Sequence, residues 1–112
     1  MANVYKNIQA VISSAASDVD MYTAPAETTS IVKSIKLYNT HSSNLVVDIK
    51  VYDLSSTAAF EWDTVTVDAS GSVDLLTFNN VLILEAGDIL KMQTPTTNVV
   101  KMTASVLQTS RT

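Results

Sequence analysis

The residues of this sequence that could do acid–base or metal chemistry are one histidine and a few carboxylates. His41 is the only histidine, and a Ser-His-Asp arrangement through it stays formally open. With no cysteine in the chain, a zinc site would need mainly carboxylate ligands, which is unusual. One histidine without a supporting set of residues predicts an exposed loop side chain rather than an active site.

The carboxylates occur as three close pairs, which are Asp18/Asp20, Glu61/Asp63 and Glu85/Asp88. On a strand, residues two apart share a face, so Asp18 and Asp20 could hold a calcium ion together. Two carboxylates at a suitable separation could also serve a glycosidase. The alternative is a solvated strand edge or turn, where charge deters edge-to-edge aggregation. We expect this alternative, and therefore no catalytic residue, no metal and no cofactor.

Four aromatic residues are candidates for a binding surface instead: Tyr5, Tyr38, Tyr52 and Trp62. Aromatic rings anchor protein interfaces, and exposed rings on a β-sheet can also stack on sugars. Tyr38 and Tyr52 fall on the outer faces of two strands that we predict to be neighbours, so they could form one patch. Packing of these rings beneath a loop or against a second sheet is the competing interpretation.

Composition excludes several classes of partner. The net charge is -4, and the seven basic residues are scattered singly, which argues against binding to nucleic acid. No polybasic run favours an anionic membrane surface, and no apolar run reaches the roughly 18 residues that span a bilayer. The apolar stretch at residues 8–16 is interrupted by polar residues, so it does not predict a signal peptide. Two glycines leave no room for a phosphate-binding loop.

Alternating apolar and polar residues recur along the chain and predict strands. In Leu45–Asp53, the alternate residues Leu45, Val47, Ile49 and Val51 are all apolar, so they should face a core. The nine predicted strands cover residues 4–13, 18–24, 31–39, 45–53, 60–67, 73–78, 81–84, 89–94 and 98–107. We expect Ile31, Ile35 and Leu37 to point inward, and Tyr22 to face away from Met21. The polar loop at residues 39–44 predicts an antiparallel hairpin between its flanking strands.

No segment has helical spacing, so the predicted fold is all-β. Eight or nine short strands in a single domain of residues 1–112 favour an antiparallel β-sandwich, jelly-roll or immunoglobulin-like, over a closed barrel. The ends, residues 1–5 and 108–112, are possible extended arms that could add strands to neighbouring sheets.

Three segments in order carry a family resemblance. They are YTAPAETT at 22–29 leading into IVKSI at 31–35, then LYNT at 37–40, then LILEAGDILK at 82–91, and the chain closes on ASVL at 104–107. This order resembles the small β-sandwich virion proteins of tailed bacteriophages. The resemblance implies a structural subunit that is present in many copies on a head, neck or tail.

The leading hypothesis is therefore a non-enzymatic virion structural protein, located in the virion as a head decoration or a neck component. Its implied partners are further copies of itself, in a trimer or ring, and larger virion proteins such as the major capsid, portal or tail proteins. Nucleic acid and membrane are not expected partners. The alternative function is a carbohydrate- or host-surface-binding β-sandwich module, which would use exposed Trp62 or tyrosine rings. An enzyme is the third interpretation, and it has no assembled catalytic set.

Overall fold

The computed structural model describes residues 3–76 and 81–110, and this part of the chain forms nine strands and no helix. The strands are β1 (Asn3–Val11), β2 (Val19–Thr23), β3 (Thr28–Asn39), β4 (Leu45–Asp53), β5 (Ala58–Val67), β6 (Ser72–Asp74), β7 (Leu82–Leu84), β8 (Ile89–Gln93) and β9 (Val100–Ser110). The all-β prediction is confirmed, and the bounds of β4 agree with the predicted ones at both ends. The last two residues of the predicted strand 73–78 lie outside the described residues.

The strands form two antiparallel sheets packed as a sandwich. Sheet A has the order β1-β9-β3-β6, with β7 also paired to β3, and sheet B has the order β2-β8-β4-β5. The pairs are nested along the chain: β1 with β9, β2 with β8, β3 with β6 and β7, and β4 with β5. A long hairpin wrapped in this way into two sheets is a jelly roll. Of the two sandwich types that we predicted, the structure has the jelly roll.

The core lies between the two sheets and uses one face of each strand. Leu45, Val47 and Ile49 are buried and alternate with less buried side chains along β4, which confirms the predicted inner face. Val100, Met102, Ala104 and Val106 do the same in β9. Burial of apolar surface is the main favourable term in folding, and it contributes about 25 cal/mol per Å².

The predicted hairpin between β3 and β4 is wrong. The loop after Asn39 carries the chain from sheet A to sheet B, so β3 and β4 are not paired. Their neighbours are β9, β6 and β7 for β3, and β5 and β8 for β4. A short polar loop fits a hairpin or a crossing between sheets equally well, and only the long-range pairing distinguishes them.

Three bulges change the faces of individual residues. The register shifts between Val32 and Ser34, between Asp20 and Tyr22, and between Ile49 and Lys50. A bulge inserts one unpaired residue, so the alternation changes phase across it. Val32 is therefore buried and Ile31 faces outward, and both Met21 and Tyr22 are buried. The expectations for Ile31 and Tyr22 were wrong for this reason.

The described parts of the two terminal segments lie within sheet A and are paired with each other. Asn3 lies opposite Thr109 and Val4 lies opposite Gln108. Residues 3–5 and 108–110 therefore differ from the arms that we expected, because they pair with each other within sheet A. Within residues 3–76 and 81–110, no helix is long and apolar enough to cross a membrane.

Candidate interaction surface

The four aromatic residues predicted as a binding surface do not come together. Tyr38 lies on the outer face of sheet A and is 43% exposed. Tyr52 lies on the outer face of sheet B, at the other side of the molecule. The two rings cannot form one patch, because their strands belong to different sheets.

Trp62 is the unpaired residue of the bulge in β5, since its neighbours Glu61 and Asp63 pair with Lys50 and Ile49. Its side chain is half-buried and packs against the core. A carbohydrate-binding groove would need this ring exposed for stacking on a sugar. The half-buried position of Trp62 weakens the carbohydrate-binding alternative at this residue, whereas the rings of Tyr5 and Tyr38 are exposed.

Tyr5 belongs instead to a row of apolar side chains that crosses the outer face of sheet A. Tyr5 pairs with Leu107, Leu107 pairs with Ile31, and Ile31 pairs with Ile83. Directly opposed residues of adjacent strands have their side chains in contact distance of each other. The four residues, one each from β1, β9, β3 and β7, therefore form a continuous stripe, which we call the apolar row.

The apolar row is open to solvent at both ends and half-buried in the middle. Tyr5 is 74% exposed and Ile83 is 58% exposed, and Val81 beside Ile83 is 50% exposed. The ammonium group of Lys33, at the β3 bulge, lies 5.9 Å from the centre of the Tyr5 ring. Large exposed apolar side chains placed side by side mark interaction surfaces in soluble proteins.

Sequence reasoning found Tyr5 but missed Ile31, Leu107 and Ile83. The bulge at Lys33 hid the outward position of Ile31. A usable signal was present at residues 81–84, where four apolar residues follow one another. A continuous apolar run in a strand indicates that both of its faces are covered.

The outer face of sheet B carries charge rather than an apolar row. Lys50 Nζ lies 3.3 Å from Asp18 Oδ2, and Lys91 Nζ lies 2.6 Å from Asp20 Oδ1. The two carboxylates that could have shared a calcium ion thus each have a lysine partner. Within the described residues, no group of three or more potential ligands could hold a metal ion.

His41 stabilises the loop between β3 and β4. Its Nδ1 accepts a hydrogen bond from the Ser43 backbone N–H at 3.1 Å, and its own backbone N–H donates to Asn39 Oδ1 at 2.8 Å. In a catalytic triad this nitrogen would have to donate to a carboxylate. The hydrogen bond to Ser43 is incompatible with that role.

The remaining acidic residues have structural surroundings. Asp88 is buried, and its two carboxylate oxygens accept backbone hydrogen bonds from Leu54 at 3.1 Å and Glu85 at 3.0 Å. Glu61 and Asp63 are exposed on β5, an edge strand of sheet B. Charge and a bulge on an edge strand both discourage pairing with another chain.

Comparisons with known proteins found similarity of fold. No protein-family model matches the sequence, and no curated protein is similar enough in sequence to count as a match. One similar solved structure is that of Bacillus endospore appendages, described as disulfide-linked pili. It has a TM-score of 0.59 and 12% identity, and covers 98% of this chain and 89% of the other.

A second similar structure is the virus-like particle of extra small virus from the giant freshwater prawn Macrobrachium rosenbergii. It has a TM-score of 0.52 and 14% identity, and covers 96% of this chain and 79% of the other. At these identities the likeness establishes a shared fold. The chain is thus an all-β sandwich of the kind also found in a pilus and in a viral particle.

Proposed function

We propose that this chain is a non-enzymatic structural subunit that assembles with further copies of itself. The apolar row on sheet A is the observation that carries the proposal. The opposite face of sheet A already packs on the core, so the row has no partner within the described chain. Association would remove this apolar surface from water, which is the main driving force for most protein interfaces.

The structural neighbours support the proposal, because a pilus and a virus-like particle are both built from repeated subunits. The pilus is described as disulfide-linked. This chain has no cysteine, so contacts between its copies are non-covalent in the proposed assembly. Their strength then depends on buried area and on complementary charge.

The finer proposal is a virion protein of a tailed bacteriophage, at a head-decoration or neck position. It rests on the sequence resemblance at residues 22–40 and 82–107, and the likeness to a viral particle subunit supports it. In this proposal the partners are its own copies and a larger capsid, portal or tail protein. Absence of the chain from purified virions by mass spectrometry would overturn this finer proposal.

Self-assembly is tested by changing the exposed ends of the apolar row. Sedimentation velocity over a range of concentrations should show oligomers of the wild type. For the Tyr5→Ser/Ile83→Ser variant, the dissociation constant of the oligomer should be at least tenfold higher. The control is Phe60→Ser, because Phe60 is 55% exposed but lies outside the row. A wild-type chain that stays monomeric at every concentration contradicts the proposed function.

A further inference from the structure

We propose that the partner of the apolar row is the outer face of sheet B of a second copy of this chain. This inference rests on the proposed self-assembly and adds its geometry. The contact is head-to-tail: each copy offers its sheet A face to one neighbour and its sheet B face to another. The outer faces of the two sheets carry opposite net charge.

The outer face of sheet A carries a net positive charge. Three exposed lysines lie on it, which are Lys33, Lys36 and Lys101. It has one carboxylate, that of Asp74 at its edge. Lys36 and Lys101 form no ion pair within the described residues, because both of the ion pairs found there lie on sheet B. Neither ammonium group is thus engaged in an ion pair, and of the two only Lys36 has a carboxylate, Asp74, directly opposite it.

The outer face of sheet B is acidic. It has two lysines, Lys50 and Lys91. Its four carboxylates are those of Asp18, Asp20, Asp48 and Glu61. The two lysines are already paired with Asp18 and Asp20, which leaves Asp48 and Glu61 as the excess charge. The Asp48 carboxylate has no lysine partner among the described residues and accepts a hydrogen bond from Thr64 Oγ1 at 3.1 Å. Opposite potentials on two faces favour contact between unlike faces and oppose contact between like faces.

Sheet B also offers apolar surface to meet the row. Tyr52 and Ile89 lie directly opposite each other on its outer face, and Lys91 Nζ lies 5.8 Å from the centre of the Tyr52 ring. Val46 on the same face is 48% exposed. Both faces therefore combine apolar and charged side chains, as protein interfaces do.

The faces are large enough for such a contact. The two longer dimensions of the molecule are 46 and 28 Å, so a broad face exceeds the roughly 800 Å² that each partner contributes to a standard interface. The edges of sheet B are less suitable for assembly, because β2 and β5 both contain bulges. Bulges interrupt the regular backbone pairing that strand addition needs.

A head-to-tail contact has a definite consequence for the assembly. Because the two contact surfaces differ, a row of bound copies still has a free sheet A face at one end and a free sheet B face at the other. Such heterologous contacts produce rings when the rotation between copies closes, and open filaments when it does not. A face-to-face dimer would stop at two copies.

The test uses two variants that each disable one face. The sheet A variant is Lys36→Glu/Lys101→Glu, and the sheet B variant is Asp48→Lys/Glu61→Lys. Glu27→Lys/Asp68→Lys is the control, since it makes the same charge change as the sheet B variant at exposed turn positions. Circular dichroism verifies folding of each, and the neutral pairs Lys36→Gln/Lys101→Gln and Asp48→Asn/Glu61→Gln replace any variant that does not fold.

Native mass spectrometry at low salt should show wild type and control assembling beyond two copies, and each face variant alone as monomer. An equimolar mixture of the two charge-reversed variants should again assemble beyond two copies, because the unchanged faces attract each other and so do the two reversed faces. An equimolar mixture of the two neutral variants should instead restore one contact and form one-to-one heterodimers. A sheet B variant that still assembles alone like wild type overturns the head-to-tail contact but leaves self-assembly standing. A mixture that stays monomeric also overturns it, whereas a monomeric wild type overturns the proposed function itself.

Discussion

The Tyr22 hydroxyl lies 2.7 Å from Ser30 Oγ and links the two sheets within the core. Gln108 Nε2 donates to the same hydroxyl at 2.7 Å, so the Tyr22 hydroxyl is hydrogen-bonded to both β3 and β9. This cluster exists because the bulge before Tyr22 turns its ring inward. A buried hydroxyl is stable only with hydrogen-bond partners, and here two strands of sheet A supply them to a tyrosine of sheet B.

Tyr22→Phe should lower the free energy of unfolding by about 1–2 kcal/mol, because Ser30 and Gln108 lose a partner inside the protein. Urea denaturation measures this loss. Ser30→Ala completes a double-mutant cycle, in which we expect a coupling of about 0.5–1 kcal/mol or more between the two side chains. Additive effects of the two changes would contradict the hydrogen bond.

Asn39→Ala should destabilise the fold by about 2–3 kcal/mol, because a fully buried amide with three hydrogen bonds is removed. Asn39 Nδ2 donates to the Ser43 and Val67 carbonyls, and its Oδ1 accepts from the His41 backbone N–H. The control is Asn44→Ala. Asn44 Oδ1 accepts one exposed hydrogen bond, from the Ala69 backbone N–H, so this substitution should lower the free energy of unfolding by less than about 1 kcal/mol. Thermal unfolding compares the two, and equal losses would argue against the role of Asn39.

Thr57→Asn should stabilise the protein by about 0.5–1 kcal/mol, because Thr57 is β-branched and lies in the left-handed region where Asn is better tolerated. Thr57 has φ 49 in the exposed turn between β4 and β5. Ser56→Asn, at the preceding exposed position, serves as the control. The midpoint of urea denaturation is the measurement, and a decrease for Thr57→Asn would show that the turn is not strained.

The pKa of the Asp53 carboxyl should lie below the ordinary value of an aspartate side chain, chiefly because the Ser55 hydroxyl donates to Asp53 Oδ1 at 2.7 Å. The Ser55 backbone N–H also donates to this oxygen, at 3.0 Å. A pKa that folding lowers stabilises the folded state above the unfolded pKa, and this contribution is lost as the pH falls through the folded pKa. Carbon NMR titration should show the lowered pKa, and Ser55→Ala should raise it toward the ordinary value. An unchanged pKa in that variant would exclude the Ser55 hydroxyl as its chief cause.

Val47→Asp should abolish folding, because an unpaired charge would replace a fully buried side chain at the centre of β4. The free-energy cost of burying this charge is comparable to the whole free energy of unfolding of a typical domain, about 5–15 kcal/mol. The adjacent substitution Val46→Asp is the matched control, since Val46 is 48% exposed. Far-UV circular dichroism should show a folded control and an unfolded Val47→Asp, and a cooperative thermal transition in the latter would mean that the inner face is assigned wrongly.

Patterns within single segments of the sequence were sufficient for the fold class and for the core face of the regular strands. Alternation with period two is a local property, so Leu45, Val47 and Ile49 identify the inside of β4 without knowledge of any other strand. The same reasoning recognised Tyr5 as a candidate contact residue. It failed at Ile31 and Tyr22, where alternation is interrupted by bulges.

The identity of neighbouring strands, and with it the candidate surface, came from the three-dimensional fold alone. The apolar row joins residues 5, 31, 83 and 107, which are far apart in the sequence and meet only through the nested pairing of a jelly roll. The charge of each face likewise depends on which strands share a sheet. Pairing and bulges arise from contacts between distant segments, and the pattern within one segment does not contain that information.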